Sequence, residues 1–222
     1  MLEEAKKILD DDKKPVSDFW HQKYEKDAKR NWDIFYKNNK DNFFKDRHYI
    51  DREFQEIKAI QDDKSDKKYV LTELGCGVGN TFFPLVEAYP NLICCGFDFS
   101  PRAIKIIEEN EITIKNKERV IVRCADLQND PIPEELPSPD FATLIFVLSA
   151  IDPEYHSMIA KKIYSYMKPG GLLFIRDYGR YDMAELRLAG HKNAKIKDHF
   201  YVRSDGTRAY YFDIEEMQQL FQ

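Results

Sequence analysis

Residues Glu73-Leu74-Gly75-Cys76-Gly77-Val78-Gly79-Asn80 decide the reading of this chain. An apolar run, Tyr69-Val70-Leu71, precedes them, and a segment with helical character, Thr81 to Tyr89, follows. A strand, a tight glycine turn and a helix start together make a nucleotide-cofactor cradle. Glycine reaches positive φ without strain and lets backbone come close to a ligand. The dinucleotide fingerprint wants a small residue five positions after its first glycine, where this chain has Asn80. That mismatch tilts the reading from NAD towards S-adenosylmethionine.

The same alternation continues outward. Leu92–Phe97 reads as a second strand ending at Asp98. Ser100 and Pro101 open a helix to Asn110, with serine as N-cap and proline in the first turn. Val120–Cys124 reads as a third strand, leading into Ala125-Asp126-Leu127. Phe141–Val147 is a continuous apolar run, the pattern of a strand buried on both faces. Tyr155–Met167 reads as a helix closed by Lys168-Pro169-Gly170-Gly171, and Leu172–Ile175 as a fifth strand. Alternating strands and helices give an α/β fold with a parallel sheet. Upstream, apolar positions from Phe19 to Tyr36 recur at helical spacing, and Asn38 to Asn42 breaks the pattern. A second helix is expected over Asp51 to Ile60. Residues 1–14 read as charged and frayed, and Glu215–Gln222 as the opening of a further helix. The division is an N-terminal helical arm over 1–66 and a cofactor-binding domain over 67–222.

At 222 residues the chain is one domain with an appended arm. No apolar run is long enough for a membrane span. The four cysteines, Cys76, Cys94, Cys95 and Cys124, form no CxxC pair. A reducing compartment follows, cytoplasmic or also nuclear. They read as core or turn residues. His48 has no second ligand at metal spacing, so no metal is expected. A net charge of −5 argues against a general nucleic-acid coat protein. Between Arg187 and Arg208, however, six Lys or Arg face two acids. That run reads equally well as a phosphate-binding face and as a solvated loop.

In an open α/β sheet, ligands bind beyond the carboxyl ends of the strands. Gly75 and Gly77 would bring backbone to the methionine part of the cofactor. Asp98 is placed to accept from the ribose hydroxyls. Asp126 and Leu127 would read the adenine amino group and pack on its ring, and Ile145 would line the pocket. Singly, each has a plainer reading: GxGxG is a weak signal, and a strand-end aspartate is often a helix cap. Together, in this order, they favour a cofactor site.

Further motifs carry a resemblance. They are Asp98-Phe99-Ser100-Pro101-Arg102-Ala103-Ile104, Ile145-Phe146-Val147-Leu148-Ser149-Ala150, Arg176-Asp177-Tyr178-Gly179-Arg180-Tyr181-Asp182 and Phe200-Tyr201-Val202-Arg203-Ser204-Asp205-Gly206-Thr207-Arg208. Asn31-Trp32-Asp33-Ile34-Phe35-Tyr36 and Asn42-Phe43-Phe44-Lys45-Asp46-Arg47-His48 stand upstream. From Val16 onward the chain resembles the eukaryotic tRNA 3-methylcytidine methyltransferases. The resemblance implies a Rossmann-like class I methyltransferase fold and S-adenosylmethionine contacts from Trp32, Tyr36, Gly75, Asp98, Asp126, Leu127 and Ile145. It also implies a helical arm that lids the cofactor and touches tRNA. The substrate would be N3 of a cytidine at the 5′ side of the anticodon loop, in serine, threonine and some arginine tRNAs. Seryl-tRNA synthetase would be a candidate partner. The family continues into two more strands, so the C-terminal strands are expected to be missing or partial here. Leu188–Asp198 departs from the family's wording.

The chemistry fits. Cytosine N3 carries a lone pair at neutral pH, so no strong base is required. The product is cationic, and a nearby carboxylate stabilises that charge as it develops. Asp177 is the candidate, against a plainer reading as a structural partner of Arg176. N3 lies on the Watson–Crick edge, so the base must be unstacked into a pocket. Phe43, Phe44 and Tyr178 are candidate platforms, though buried aromatics are more often core. Arg176 completes the motif beside Asp177. Lys45, Arg47, His48, Arg203 and Arg208 are candidate phosphate contacts. No Pro-Cys follows a strand, which excludes covalent C5 methylation. Leu148-Ser149-Ala150-Ile151 replaces the Asn/Asp-Pro-Pro-aromatic pattern of exocyclic amino methylation. Two alternatives remain: a methyltransferase for a small molecule or protein, and a non-catalytic tRNA-binding subunit.

Overall fold

The computed structural model describes residues 2–12, 14–40 and 43–222. Asn42, the end of the expected break after the first long helix, lies outside them. In chain order the helices are α1 (Leu2–Asp11), α2 (Asp18–Asn39), α3 (Ile50–Glu53), α4 (Gln55–Lys58), α5 (Phe82–Ala88), α6 (Pro101–Glu109), α7 (Glu111–Lys115), α8 (His156–Tyr166), α9 (Met183–Ala189) and α10 (Ile214–Leu220). The strands are β1 (Tyr69–Leu74), β2 (Leu92–Asp98), β3 (Val120–Cys124), β4 (Phe141–Ile145), β5 (Leu172–Arg176), β6 (Lys195–Lys197), β7 (Phe200–Val202) and β8 (Arg208–Tyr210).

The residues group into two compact units. The sheet unit comprises Asp33–Ile145 and Lys162–Ile175; the hairpin unit comprises Met1–Trp32, Phe146–Lys161 and Arg176–Gln222. The large sheet has the order β3-β2-β1-β4-β5. β1 pairs in parallel with β2 from Tyr69↔Leu92 to Leu74↔Phe97, and with β4 on its other side. The strand order reverses beside β1, and an open sheet of this kind takes its ligand at that switch point. Leu71, Leu74, Leu92, Cys94, Phe97 and Leu144 are fully buried in its core, as continuous apolar strands require. The fold is therefore the mixed α/β class with a parallel central sheet expected from the motif spacing.

Two local expectations in the sheet unit need correction. The helix expected over Asp51–Ile60 is broken at Phe54, which leaves the helical region at φ −112, ψ 86. Its ring stacks on Phe174 at 4.5 Å, so burial of one aromatic outweighs one turn of helix. The strand expected to reach Val147 stops at Ile145, because Phe146 adopts φ 57.

The hairpin unit holds the antiparallel order β6-β7-β8. Residues 1–14, read as frayed, contain α1. Its Ala5 is buried, and Leu9 packs on Ala189, Ala194, Tyr201, Ala209 and Tyr211. The basic run from Arg187 to Arg208 is not an open loop either. Lys195 Nζ donates to Asp12 O (2.7 Å), Lys197 pairs with Asp152 (3.0 Å) and Glu154 (2.6 Å), and Arg208 pairs with Glu25. Arg203 donates to Arg208 O (3.2 Å), so four of its six cations are held by partners within the unit.

Candidate active site

In the sheet unit, the chain leaves β1 through Gly75 (φ 71), Gly77 (φ 52) and Gly79 (φ 88). The N–H groups of Gly75 and Cys76 both donate to Phe97 O, at 2.9 and 3.0 Å, which ties the turn to the end of β2. Gly77 N donates to Asp98 Oδ2 at 3.0 Å. A Cβ on Gly77 would lie 2.8 Å from the Tyr36 hydroxyl. Glycine is needed there twice over, for its φ and for the tyrosine that covers it. Tyr36 is buried, and burial, then the charge of Asp98, pushes its phenol well above the usual range. Asp98 Oδ1 accepts from Ser100 N at 2.9 Å. Both oxygens of this buried carboxylate thus meet backbone donors where the glycine turn and the end of β2 come together.

Several residues support the turn in roles that the sequence did not show. Asp33 accepts from Ser100 Oγ (2.8 Å) and pairs with Arg102 (3.4 Å), fixing the segment after β2. Asn80 Nδ2 donates to Phe44 O (3.2 Å) and Asp46 Oδ1 (3.0 Å). The residue that spoils the dinucleotide fingerprint thus anchors the segment before α3. Lys162 Nζ gathers the carbonyls of Leu127, Gln128 and Asp130 at 2.7, 3.2 and 2.8 Å, closing the loop after β3. Glu73 is 1% exposed, and burial pushes its carboxyl up to about 7 despite Arg47. Its Oε2 is a buried acceptor without a hydrogen-bond partner. A charged residue inside an apolar strand is the signal that would have found it.

Among the predicted cofactor residues, Leu127 and Ile145 are buried and Asp126 is half-buried. The Asp126 carboxylate accepts from Gln128 N (2.9 Å) and Asn129 Nδ2 (2.9 Å), shaping its own loop. Trp32 is half-buried on α2 in the hairpin unit, and the others belong to the sheet unit. Cys76, Cys94 and Cys95 are buried, and burial raises their thiols, so they sit as inert core.

Arg47 needs reassignment. Its guanidinium was expected to meet a phosphate. Instead it is 13% exposed, donates to Thr81 Oγ1 (2.5 Å) and pairs with Glu73 (3.4 Å) beneath the glycine turn. Arg208 is likewise only 3% exposed and paired with Glu25, which its burial demands. Phe43 and Phe44 pack edge-on at 4.8 Å and both meet Phe35, but Phe43 remains 58% exposed. Lys45 and His48 are exposed nearby in sequence, and Arg176 is exposed at the end of β5.

In the hairpin unit, Asp177 Oδ2 accepts from Ser149 N (2.9 Å) and Oδ1 from Tyr178 N (2.9 Å). Burial pushes this carboxyl up to about 6, against those hydrogen bonds and the Arg203 charge. The Arg203 guanidinium lies over the Tyr178 ring at 5.3 Å. Tyr178 meets Phe146 at 4.9 Å and Tyr211 at 5.6 Å. A carboxyl of raised pKa, half-open aromatic rings and a guanidinium are therefore collected in one cluster. Ser149 and Phe146 were not singled out as site residues from the sequence.

A family model described as a methyltransferase domain matches residues 43–222. The human tRNA N(3)-cytidine methyltransferase METTL6 is 44% identical, over 100% of this chain and 77% of that protein. The chain belongs to the tRNA N(3)-cytidine methyltransferase family. Another member, the tRNA(Thr) (cytosine(32)-N(3))-methyltransferase of Saccharomyces cerevisiae, is 38% identical over 97% of this chain and 34% of that protein. Among solved structures, an O-methyltransferase family 2 protein from Planctomyces limnophilus, in complex with apigenin, superposes with a TM-score of 0.54 at 22% identity. It covers 71% of this chain and 44% of that one, and shares the fold. Among the described residues, no helix is long and apolar enough to cross a membrane. No group of three or more His, Cys, Asp or Glu among them is placed to hold a metal ion.

Proposed function

We propose that this chain methylates N3 of a cytidine in the anticodon loop of tRNA, of the serine or threonine type, with S-adenosylmethionine as donor. Identity of 44% to the human N(3)-cytidine enzyme along the whole chain carries the reading. The residues present fit the donor. Gly75 and Gly77 turn at positive φ past the carboxyl end of β1, and the buried Asp98 carboxylate stands beside that turn at the end of β2. S-adenosylmethionine, when bound, supplies an electrophilic methyl group on a sulfonium. The chain's part is to hold and orient. Gly75, Gly77, Asp98, Asp126, Leu127 and Ile145, with Tyr36 and Trp32, are the residues assigned to the donor. Asp177 is assigned to the charge that the pyrimidine gains. Phe43, Phe44, Lys45, His48, Arg176, Tyr178 and Arg203 are assigned to RNA, and seryl-tRNA synthetase to a helper role.

The test is incubation with methyl-labelled donor and serine or threonine tRNA, with and without seryl-tRNA synthetase. Nucleosides are then read by mass spectrometry. Formation of 3-methylcytidine is expected in at least one arm. Its absence in every arm refutes the assignment.

A further inference from the structure

In the hairpin unit two bulky aromatic residues adopt the left-handed region, Phe146 at φ 57 and Tyr181 at φ 65, and of these Phe146 is the one that packs on Tyr178 beside Asp177. L-residues avoid that region because Cβ crowds the following carbonyl, and a bulky side chain there is an outlier. The conformation is held by Phe146 N donating to Arg176 O at 2.8 Å. Here the ring remains half-buried while Leu148 and Ser149, just beyond, are buried. One side of it is fixed against Tyr178, with ring centroids 4.9 Å apart and planes at 40°. Tyr178 is in turn backed by Tyr211 and Arg203 and bonded through its N–H to Asp177. Strain of this kind persists where the surroundings over-determine it, and it clusters at functional sites.

We propose that the Phe146 ring is the platform on which the target cytosine stacks, and that its π face stabilises the positive charge this base acquires. The proposal rests on the N3-cytidine reading above. In the transfer, the N3 lone pair forms the new N–C bond and the electrons of the broken S–C bond stay on sulfur. The positive charge thus passes from sulfonium to pyrimidine, and no proton has to move. A π face attracts a cation more strongly than a neutral ring. The contact therefore strengthens along the reaction and belongs to the rate more than to ground-state binding. Tyr178 is less suited to this role, because the Arg203 cation already lies over its ring. The Asp177 carboxylate offsets that second cation within the cluster.

The experiment is single-turnover methylation of tRNA at saturating donor, with Phe146 replaced by Leu, by Trp and by phenylalanines of increasing fluorination. Donor affinity is measured by calorimetry in parallel. Base–aromatic stacking energies lead us to expect a rate roughly 5- to 100-fold lower for Phe146→Leu. Phe146→Trp should keep a rate within about threefold of the parent, since tryptophan offers the best cation–π face. The rate should fall stepwise with each added fluorine while donor affinity holds. A Phe146→Leu rate within about twofold of the parent overturns the proposal, as does an equal loss in the Leu and Trp variants. Should Phe146→Leu fail to fold, the near-isosteric fluorinated series decides alone, and a flat series overturns the charge-stabilising role. Absence of 3-methylcytidine with the unsubstituted chain, both with and without seryl-tRNA synthetase, refutes the N3-cytidine reading on which the proposal rests.

Discussion

The glycine turn of the sheet unit and the Asp177 cluster of the hairpin unit hold their key groups by different means. Around the turn, the register of a parallel sheet does the positioning. Adjacent strand ends bring Gly77 N to Asp98, and Gly75 N and Cys76 N to Phe97 O. The cluster instead gathers Ser149, Asp177 and Arg203 from separate segments. Its unit is clamped by pairs as distant in sequence as Asn31 and Gly206, or Glu25 and Arg208. A site built on strand ends is fixed by backbone geometry. A site built from dispersed segments depends on side chains that must each find their partner.

If that contrast is right, the largest catalytic effect of a single isosteric change should come from the cluster. Asp177→Asn keeps the shape but removes the charge that offsets the pyrimidinium, and its amide nitrogen leaves one of the Ser149 and Tyr178 N–H groups without an acceptor. By the scale of comparable electrostatic contacts, the methylation rate should fall by about 10²- to 10³-fold, with donor affinity unchanged. The parent should also lose rate as pH falls through about 6, where the Asp177 carboxyl takes up a proton. In single-turnover profiles the Asn variant should lack that step. An Asn variant of parental rate would remove Asp177 from the chemistry. On the other side of the contrast, Asp98→Ala acts through the donor. It deletes an acceptor of two backbone N–H groups as well as any ribose contact. Donor affinity measured by calorimetry should weaken by about 1–3 kcal/mol. Unchanged affinity would show that the donor is held elsewhere.

The contrast also explains what could be read from the sequence. β1 and β3 and the start of α6 follow from apolar runs, glycine spacing and a Ser-Pro cap, all local signals. The end of β4 was not legible, because nothing in Phe141–Val147 announces a left-handed Phe146. The hairpin was missed for another reason. Lys195, Lys197 and Arg208 look like a solvated basic loop until Asp12, Asp152 and Glu25 are brought to them across the unit. Arg47 was misread in the same way, since its partner Glu73 lies 26 residues on, inside a strand. Charged residues are ambiguous in sequence because exposure and pairing are both tertiary facts.

Arg47 now separates the two kinds of region directly. As a phosphate contact, Arg47→Ala would lower the salt dependence of tRNA binding. As the cation beneath the glycine turn, it should leave the salt slope intact and lower thermal stability instead. The expected cost is about 1–3 kcal/mol, because Thr81 and the buried Glu73 lose their donor. Thermal denaturation beside a salt titration of tRNA affinity distinguishes the two, and a shallower slope would return Arg47 to the RNA face.

Glu73→Gln is the change from which no loss is expected, and its sign is informative. Burial raises the folded-state pKa of Glu73 from an ordinary 4.5 to about 7, while an unfolded chain keeps the ordinary value. Between those limits the folded chain retains a proton that the unfolded chain has lost. This group therefore lowers stability as pH rises from about 4.5 to 7. Glutamine mimics the protonated form and should flatten that part of the stability profile. At neutral pH the variant should therefore be the more stable, by up to about 3 kcal/mol, since the net rise already includes the Arg47 attraction. Denaturation midpoints from pH 5 to 8 measure it. A Gln variant that loses stability in parallel with the parent over that range would mean that Glu73 is already ionised in the fold, and that Arg47, rather than burial, sets its charge.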